Sequence, residues 1–315
     1  MSKDSIFPTY PFRVEIEVIN ACNCNCDYCY AAPFNGYVPP LKDIKVMLDK
    51  TEAQVKPFSV VILGGEPFLR IDMIDLLEYA VLLFSNGVVS ISSNGTVFPG
   101  MGEEKLTHLK EISSGTPLIQ VSIDSITNRE LQKSARSFQG IIALQKHDIP
   151  FRVGMVLTKN NFGDYLQTVD KLLDFPALRS INLEPLQKIN DQHYGANAIS
   201  QQQLLEVKYK TMELVVKKSR TDIRIVGITD VVDTLLFERL RGRKNIGIEL
   251  KDTEMSIAGV YADGNVSTGG ALGRTNIVGN LLRQEWKTIW NAAAKDYKNR
   301  HMGLMIIREN NRSKC

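Results

Sequence analysis

Long apolar runs are missing from this 315-residue chain. No stretch approaches the roughly 20 apolar residues that cross a bilayer as a helix, so no membrane-spanning helix is expected. The opening MSKDSIFPTY has neither an apolar core nor a small-residue cleavage site. No signal peptide is therefore expected, and a cytoplasmic location is the default. An excess of one charge is missing too. Lys and Arg number 38 against 35 Asp and Glu, a net charge of +3, which gives no global argument for a nucleic-acid or membrane partner. Histidine is scarce, and His108, His147, His193 and His301 form no short paired motif. Cysteine is absent between 30 and 314. No solenoid-type repeat and no low-complexity tail is present.

What cysteine there is falls in one place. Of five, Cys22, Cys24, Cys26 and Cys29 lie within eight residues, and Cys315 stands far from them. An odd, clustered set is no disulfide framework; it reads as metal ligands in a reducing compartment. Around it, short Val- and Ile-rich runs alternate with longer amphipathic stretches. Strands are expected near 13–19, 58–63, 88–93, 118–123, 151–157 and 179–183. Helices are expected near 41–55, 71–85, 103–113, 138–147 and 162–175. In the last of these, Tyr165, Leu166, Val169, Leu172 and Leu173 share a stripe.

Six strands with intervening helices imply a parallel sheet with right-handed crossovers. Polar motifs follow almost every strand. That favours an α/β partial barrel, (β/α)6, with its site in the loops at the carboxyl ends of the strands. A hydrophobic fraction of 43% suffices for one such domain and a small appendage. Residues 184–200 read as a polar loop, followed by a helix near 201–218 and a strand at 222–226. The pattern then changes. A boundary near 228 divides a core, 1–228, from a small α+β extension, 229–315, ending in a helix near 285–296.

The cysteine segment, Ala21-Cys22-Asn23-Cys24-Asn25-Cys26-Asp27-Tyr28-Cys29-Tyr30, follows the first strand and lies on a loop. Cys22, Cys26 and Cys29 supply three thiolates on a short loop, suited to three corners of a cubane. Iron–sulfur clusters are usually held by four cysteines, so a triad leaves one iron open. Three alternatives stand beside this. A structural zinc site needs a second Cys or His pair at a distance. A ferredoxin-like carrier needs a fourth local cysteine, for which only Cys24 is at hand. Unreactive free thiols are the third.

That triad, with Tyr28 just before its last cysteine, resembles the signature of the radical S-adenosylmethionine (SAM) superfamily. The resemblance implies one 4Fe–4S cluster on Cys22, Cys26 and Cys29, with SAM chelating the open iron. Cys24 then departs from the pattern only in a tolerant spacer position. After the second strand, Gly64-Gly65-Glu66-Pro67 resembles the family motif that binds the amino group of SAM; otherwise it is a turn with a helix-entry acid. After the third, Ser92-Ser93-Asn94-Gly95-Thr96 resembles its Thr-Asn-Gly, with Ser93 and Asn94 toward ribose or carboxylate. The fourth ends Val121-Ser122-Ile123-Asp124, where Ser122 and Asp124 share a side by alternation and match the family's Ser-x-Asp. A downstream base often pairs with SAM's carboxylate; Arg136 and Lys133 are the candidates. Asn160 after the fifth strand resembles a polar SAM contact, and the backbone around Leu183 to Leu186 resembles an adenine contact. These motifs run in order over about 12–226.

Beyond 228, Val260-Tyr261-Ala262-Asp263-Gly264-Asn265-Val266, then Gly279-Asn280, then Trp286-Lys287-Thr288-Ile289-Trp290, resembles a SPASM or twitch extension. Asp263-Gly264 is in any case a good hairpin turn. The extension's cysteines are missing, so no auxiliary cluster is expected, and Cys315 alone holds none. The resemblance implies an oxygen-sensitive enzyme reduced by a flavodoxin or ferredoxin and acting on a peptide or protein, as in maturation of a ribosomally made peptide. No separate peptide-recognition domain is expected before residue 12, which counts against the peptide reading. The alternatives are a radical SAM enzyme acting on a nucleotide, sugar or other small metabolite and, more remotely, a non-enzymatic metal-binding protein.

Overall fold

Alternation along the strands sets the architecture. In β1 (Arg13–Glu17), Val14 and Ile16 are fully buried while Arg13 and Glu15 turn to the other side. The pattern repeats in β4 (Ile119–Ser122), where Ile119 and Val121 are buried and Gln120 and Ser122 are not, and through β5 (Phe151–Leu157). A strand with this period must bury one face and leave the other to something polar. The computed structural model describes residues 10–113, 118–126, 132–186, 191–220, 222–227, 256–270 and 276–297.

The remaining core strands are β2 (Ser59–Leu63), β3 (Val88–Ser93), β6 (Leu178–Pro185) and β7 (Arg224–Gly227). From β1 to β7 they pair in sequence order, all parallel. The helices between them cover one face. They are α1 (Leu41–Gln54), α2 (Met73–Leu83), α3 (Glu103–Ser113), α4 (Gln132–Lys146), α5 (Lys159–Phe162), α6 (Tyr165–Leu172), α7 (Asp191–Asn197) and α8 (Gln201–Lys217). Ile44, Leu48, Leu77, Leu109, Ile141, Leu144, Val169 and Leu172 from these helices join Val14, Ile16, Ile62, Ile91 and Val153 of the strands in one core. Each such side chain contributes about 1.5–3 kcal/mol by leaving water.

The C-terminal strands are β8 (Ile257–Val260), β9 (Asn265–Thr268) and β10 (Ile277–Asn280). They continue the same sheet, β8 adding parallel to the free side of β1 and β9 and β10 following antiparallel. Among the described residues the result is a ten-stranded sheet that is not closed, in the order β10-β9-β8-β1-β2-β3-β4-β5-β6-β7. Asp263-Gly264 makes the β8–β9 turn, with Gly264 at φ +83 and its N–H donating to Tyr261 O at 2.8 Å. A last helix, α9 (286–297), docks on α1. Buried Trp286 donates from Nε1 to Thr51 Oγ1 at 3.1 Å, and Lys50 Nζ reaches the carbonyls of Leu281 and Gln284, each at 3.0 Å. The expected boundary near 228 lies outside the described residues.

Two expectations change. The helix expected over 162–175 is two helices: Thr158 and Asn161 close a capping box on α5, Gly163 ends it, and α6 starts afresh at Tyr165. The polar loop expected over 184–200 is not all loop. β6 runs on to Pro185, and α7 occupies Asp191–Asn197. A tertiary contact supports α7. Lys159 Nζ donates to the carbonyls of Gly195 and Ala196, at 3.3 and 2.9 Å, where a helix end leaves acceptors open.

Candidate functional site

A cavity of about 320 Å³ opens at the carboxyl ends of the strands, lined by residues of β1, β2, β3, β4, β5 and β6 together. Laid flat, five interstrand steps would put β1 and β6 about 24 Å apart. Arg13 and Glu15 of β1 instead act electrostatically on Glu184 of β6. The sheet therefore curls around a lumen, as a partial barrel does.

The cysteine loop forms one wall. Its neck is pinched by Asn20, whose N–H donates to Tyr37 O and whose Oδ1 accepts from Asn35 N, both at 2.8 Å. None of Cys22, Cys24, Cys26 and Cys29 is in a disulfide, and all four line the cavity. Cys24 N–H donates to Cys22 Sγ at 3.4 Å, and the Asn94 amide donates to Cys24 Sγ at 3.3 Å. Donors at a sulfur favour its thiolate. At the other end of the loop, the Tyr28 hydroxyl donates to Asp124 Oδ2 at 2.5 Å, holding the loop over the end of β4. Among the described residues, no three His, Cys, Asp or Glu side chains converge as tightly as a single metal ion requires. The donors at hand are the four thiols that face the cavity.

The Gly64-Gly65-Glu66-Pro67 turn is bound to the strand end that leads into Cys22. Gly65 N–H donates to Ile19 O at 2.9 Å and Glu66 N–H to Ala21 O at 2.8 Å. A Cβ on Gly65 would lie 2.0 Å from Ala21 O, and one on Gly64 2.4 Å from Ile19 O. Close approach to the cysteine loop itself requires these glycines. Glu66 is fully buried, and its carboxylate accepts from Ser93 Oγ (2.8 Å), Asn94 N (2.6 Å) and Phe68 N (3.1 Å). Burial outweighs those hydrogen bonds and pushes its carboxyl up to about 7. It ties the ends of β2 and β3 together from behind the cavity.

The Ser93-Asn94-Gly95 turn rests on α4. Ser137 Oγ donates to Asn94 O at 2.6 Å, and Gly140 comes so near Gly95 that a Cβ there would sit 2.1 Å from Gly95 O. Asn94 in turn donates to Asn23 Oδ1 at 2.8 Å. The four motifs thus form one hydrogen-bonded assembly around the thiols.

Of the residues singled out in the sequence, Cys22, Cys26, Tyr28, Cys29, Gly64, Gly65, Ser93, Asn94, Ser122 and Asp124 all line the cavity. Others do not. Glu66 and Pro67 are buried behind the wall. Arg136 is exposed on α4 and Asn160 is exposed on α5. Leu183 points into the helix-side core, while its neighbours Glu184, Pro185 and Leu186 line the cavity. The side chain of Lys133 and all of Cys315 lie outside the described residues. The asparagine that packs under the cavity wall is Asn161, one residue on from Asn160. It is buried and donates to Asp124 O at 3.1 Å and Val156 O at 2.8 Å, fixing the end of β4 against β5. The sequence reading also passed over Arg13, Glu15, Gln120 and Glu184, which reach the lumen. Their signal was the polar half of the strand alternation.

A family model described as the Radical SAM superfamily matches residues 16–172. The sporulation killing factor maturation protein SkfB of Bacillus subtilis is 27% identical over 168 residues, 51% of this chain and 39% of that protein. A probable GTP 3',8-cyclase of Methanopyrus kandleri is 27% identical over 193 residues, 56% of this chain and 57% of that one. The chain thus matches less than two thirds of these relatives' own lengths. Among solved structures, Streptococcus suis SuiB bound to precursor peptide SuiA superposes with a TM-score of 0.70 at 15% identity, covering 90% of this chain and 65% of that one. At that identity the likeness is one of fold.

Proposed function

This chain belongs to the radical SAM superfamily of enzymes, and from that premise we propose that Cys22, Cys26 and Cys29 hold its 4Fe–4S cluster and that it modifies a peptide or protein. One observation carries the cluster assignment: the three thiols open onto the same cavity as Gly64, Gly65, Ser93, Asn94, Ser122 and Asp124. When bound, the cluster and SAM together supply a 5′-deoxyadenosyl radical that takes hydrogen from a substrate carbon.

The chain's own residues do the positioning. The Tyr28–Asp124 hydrogen bond fixes the loop to β4, and Glu66 with Ser93 and Asn94 fixes the turns of β2 and β3 to each other. Ser122 and Asp124 project from one side of a strand end toward the space a ribose would fill. Val61, Leu63 and Tyr30 form an apolar patch beside the thiols, which keeps that part of the wall dry. Reduction is assigned to a flavodoxin or ferredoxin. The C-terminal part is assigned to a SPASM- or twitch-like extension without auxiliary clusters, on its motifs and its β8–β9 hairpin.

The peptide reading is supported by the maturation role in SkfB's name and by the precursor peptide bound to SuiB. A second reading, turnover of a small metabolite, is supported by the GTP cyclase relative. Anaerobic reconstitution tests the first claim. About four iron and four sulfide per chain are expected, with 5′-deoxyadenosine formed on adding dithionite and SAM. A chain that takes up metal but never cleaves SAM would remove the enzyme assignment. The substrate class is read from radical-dependent mass change in candidate precursor peptides against turnover of free nucleotides.

A further inference from the structure

Besides the thiols, the lumen is lined by charged and amide side chains. Arg13 and Glu15 of β1, Gln120 of β4 and Glu184 of β6 line the cavity there. Arg13 is committed, since its Nη2 pairs with Glu15 Oε1 at 2.7 Å. Gln120 fills the space over Gly154, where a Cβ would meet its amide nitrogen at 2.8 Å. Glu184 is different. The hydrogen bond it accepts is from the neutral Asn182 amide. Among the described residues no Lys, Arg or His stands within ion-pair distance of it. Arg152, at the start of β5, feels Arg13. Burial is the largest influence on the Glu184 carboxyl and pushes it up.

A carboxylate withdrawn from water with one amide for company is costly, and a cation placed against it offsets that cost. With Arg152 counted, the two cations and two carboxylates of this region balance, so the demand for a cation is local to Glu184. A cationic ligand group would gain a charge-assisted hydrogen bond there. An anionic one would face both carboxylates.

We infer that Glu184 is the specificity-determining residue for the substrate, holding a cationic group, an alkylammonium or guanidinium, inside the barrel. On the peptide reading, which this inference deepens and on which it rests for its substrate class, the group is the side chain of a Lys or Arg residue. The carboxylate fixes the orientation of the substrate and so which carbon is offered for hydrogen removal.

The test is binding to the reconstituted, SAM-loaded protein at fixed ionic strength, read by saturation-transfer NMR. The probes are n-butylammonium and n-butylguanidinium against n-butanol, and acetyl-Gly-Lys-Gly-amide against its norleucine counterpart. The cationic probes should bind at least about tenfold more tightly than the neutral ones, consistent with roughly 1.4 kcal/mol. Glu184→Gln should abolish that preference, Glu184→Asp should keep part of it, and Glu184→Lys should turn it toward butanoate, each variant being compared at equal iron content and SAM loading. Absence of a preference in the unsubstituted protein overturns the inference whatever the variants do. So does a preference that survives Glu184→Gln. If both peptides bind equally, the inference about Glu184 fails and the peptide reading stands. If the amines are preferred and neither peptide binds, the peptide reading fails and Glu184 keeps its role.

Discussion

At the residue scale, the four clustered cysteines are distinguished by what surrounds each. Substituting Cys26 by Ala should abolish both iron uptake to the full complement and 5′-deoxyadenosine formation. Substituting Cys24 should abolish neither, because it stands in a spacer position of the Cys22, Cys26 and Cys29 triad. Iron and sulfide analysis of the two variants side by side decides this, and loss of the cluster in the Cys24 variant would place it among the ligands. Glu66 gives a prediction of a different kind. Its carboxyl stands at about 7 in the folded chain against an ordinary 4.5, so the folded state holds a proton that the unfolded chain releases first. Stability from this group is complete below about 4.5 and is lost as pH rises through about 7. The denaturation midpoint should fall over that window, and Glu66→Gln should flatten the fall while lowering stability at low pH by about 1–3 kcal/mol, since one buried N–H loses its acceptor.

At the element scale, the turn after β2 is the piece on which the cysteine loop depends. Gly65→Ala puts a methyl group 2.0 Å from a backbone oxygen, and backbone gives way less easily than a side chain tip. The expected outcome is a loss of about 1–3 kcal/mol in stability together with reduced iron per chain, because the displaced segment leads directly into Cys22. Gly140→Ala in α4 should act one layer further out, pushing on Gly95 and so on the Asn94 amide. Its signature is altered cluster spectra with stability lowered by less than in the Gly65 variant. Equal iron content and spectra in both variants would show that these turns support the fold alone.

At the scale of the whole molecule, the C-terminal strands and helix are built into the barrel wall rather than set beside it. β8 pairs with β1, the strand that carries Arg13 and Glu15 into the lumen and ends at the cysteine loop, and α9 packs on α1. Trp286 is fully buried at that junction. Trp286→Ala should cost about 3–5 kcal/mol and should unfold the molecule in one transition shared by both parts. Two separate transitions in calorimetry would show instead that the C-terminal part folds on its own. Among the described residues no helix is long and apolar enough to cross a membrane.

The sequence by itself determined the strand order, the parallel sheet and the thiol cluster, because each rests on local spacing: period two in strands, helical stripes between them, three cysteines on one loop. It also placed Gly64, Gly65, Ser93, Asn94, Ser122 and Asp124 at strand ends, which a parallel sheet then gathers at one mouth. Tertiary structure alone decided what those groups touch. Glu66 reads as an open carboxylate until packing buries it against Ser93 and Asn94. Asn161 holds the end of β4 because the capping box of α5 turns it inward, while Asn160 stands on the exposed side. Glu184 lies far from Arg13 and Glu15 in the chain and in strand order, and only the curl of the sheet brings it to their lumen. Local pattern fixes which face a residue takes; curvature, a property of the whole sheet, fixes which distant residues that face looks upon.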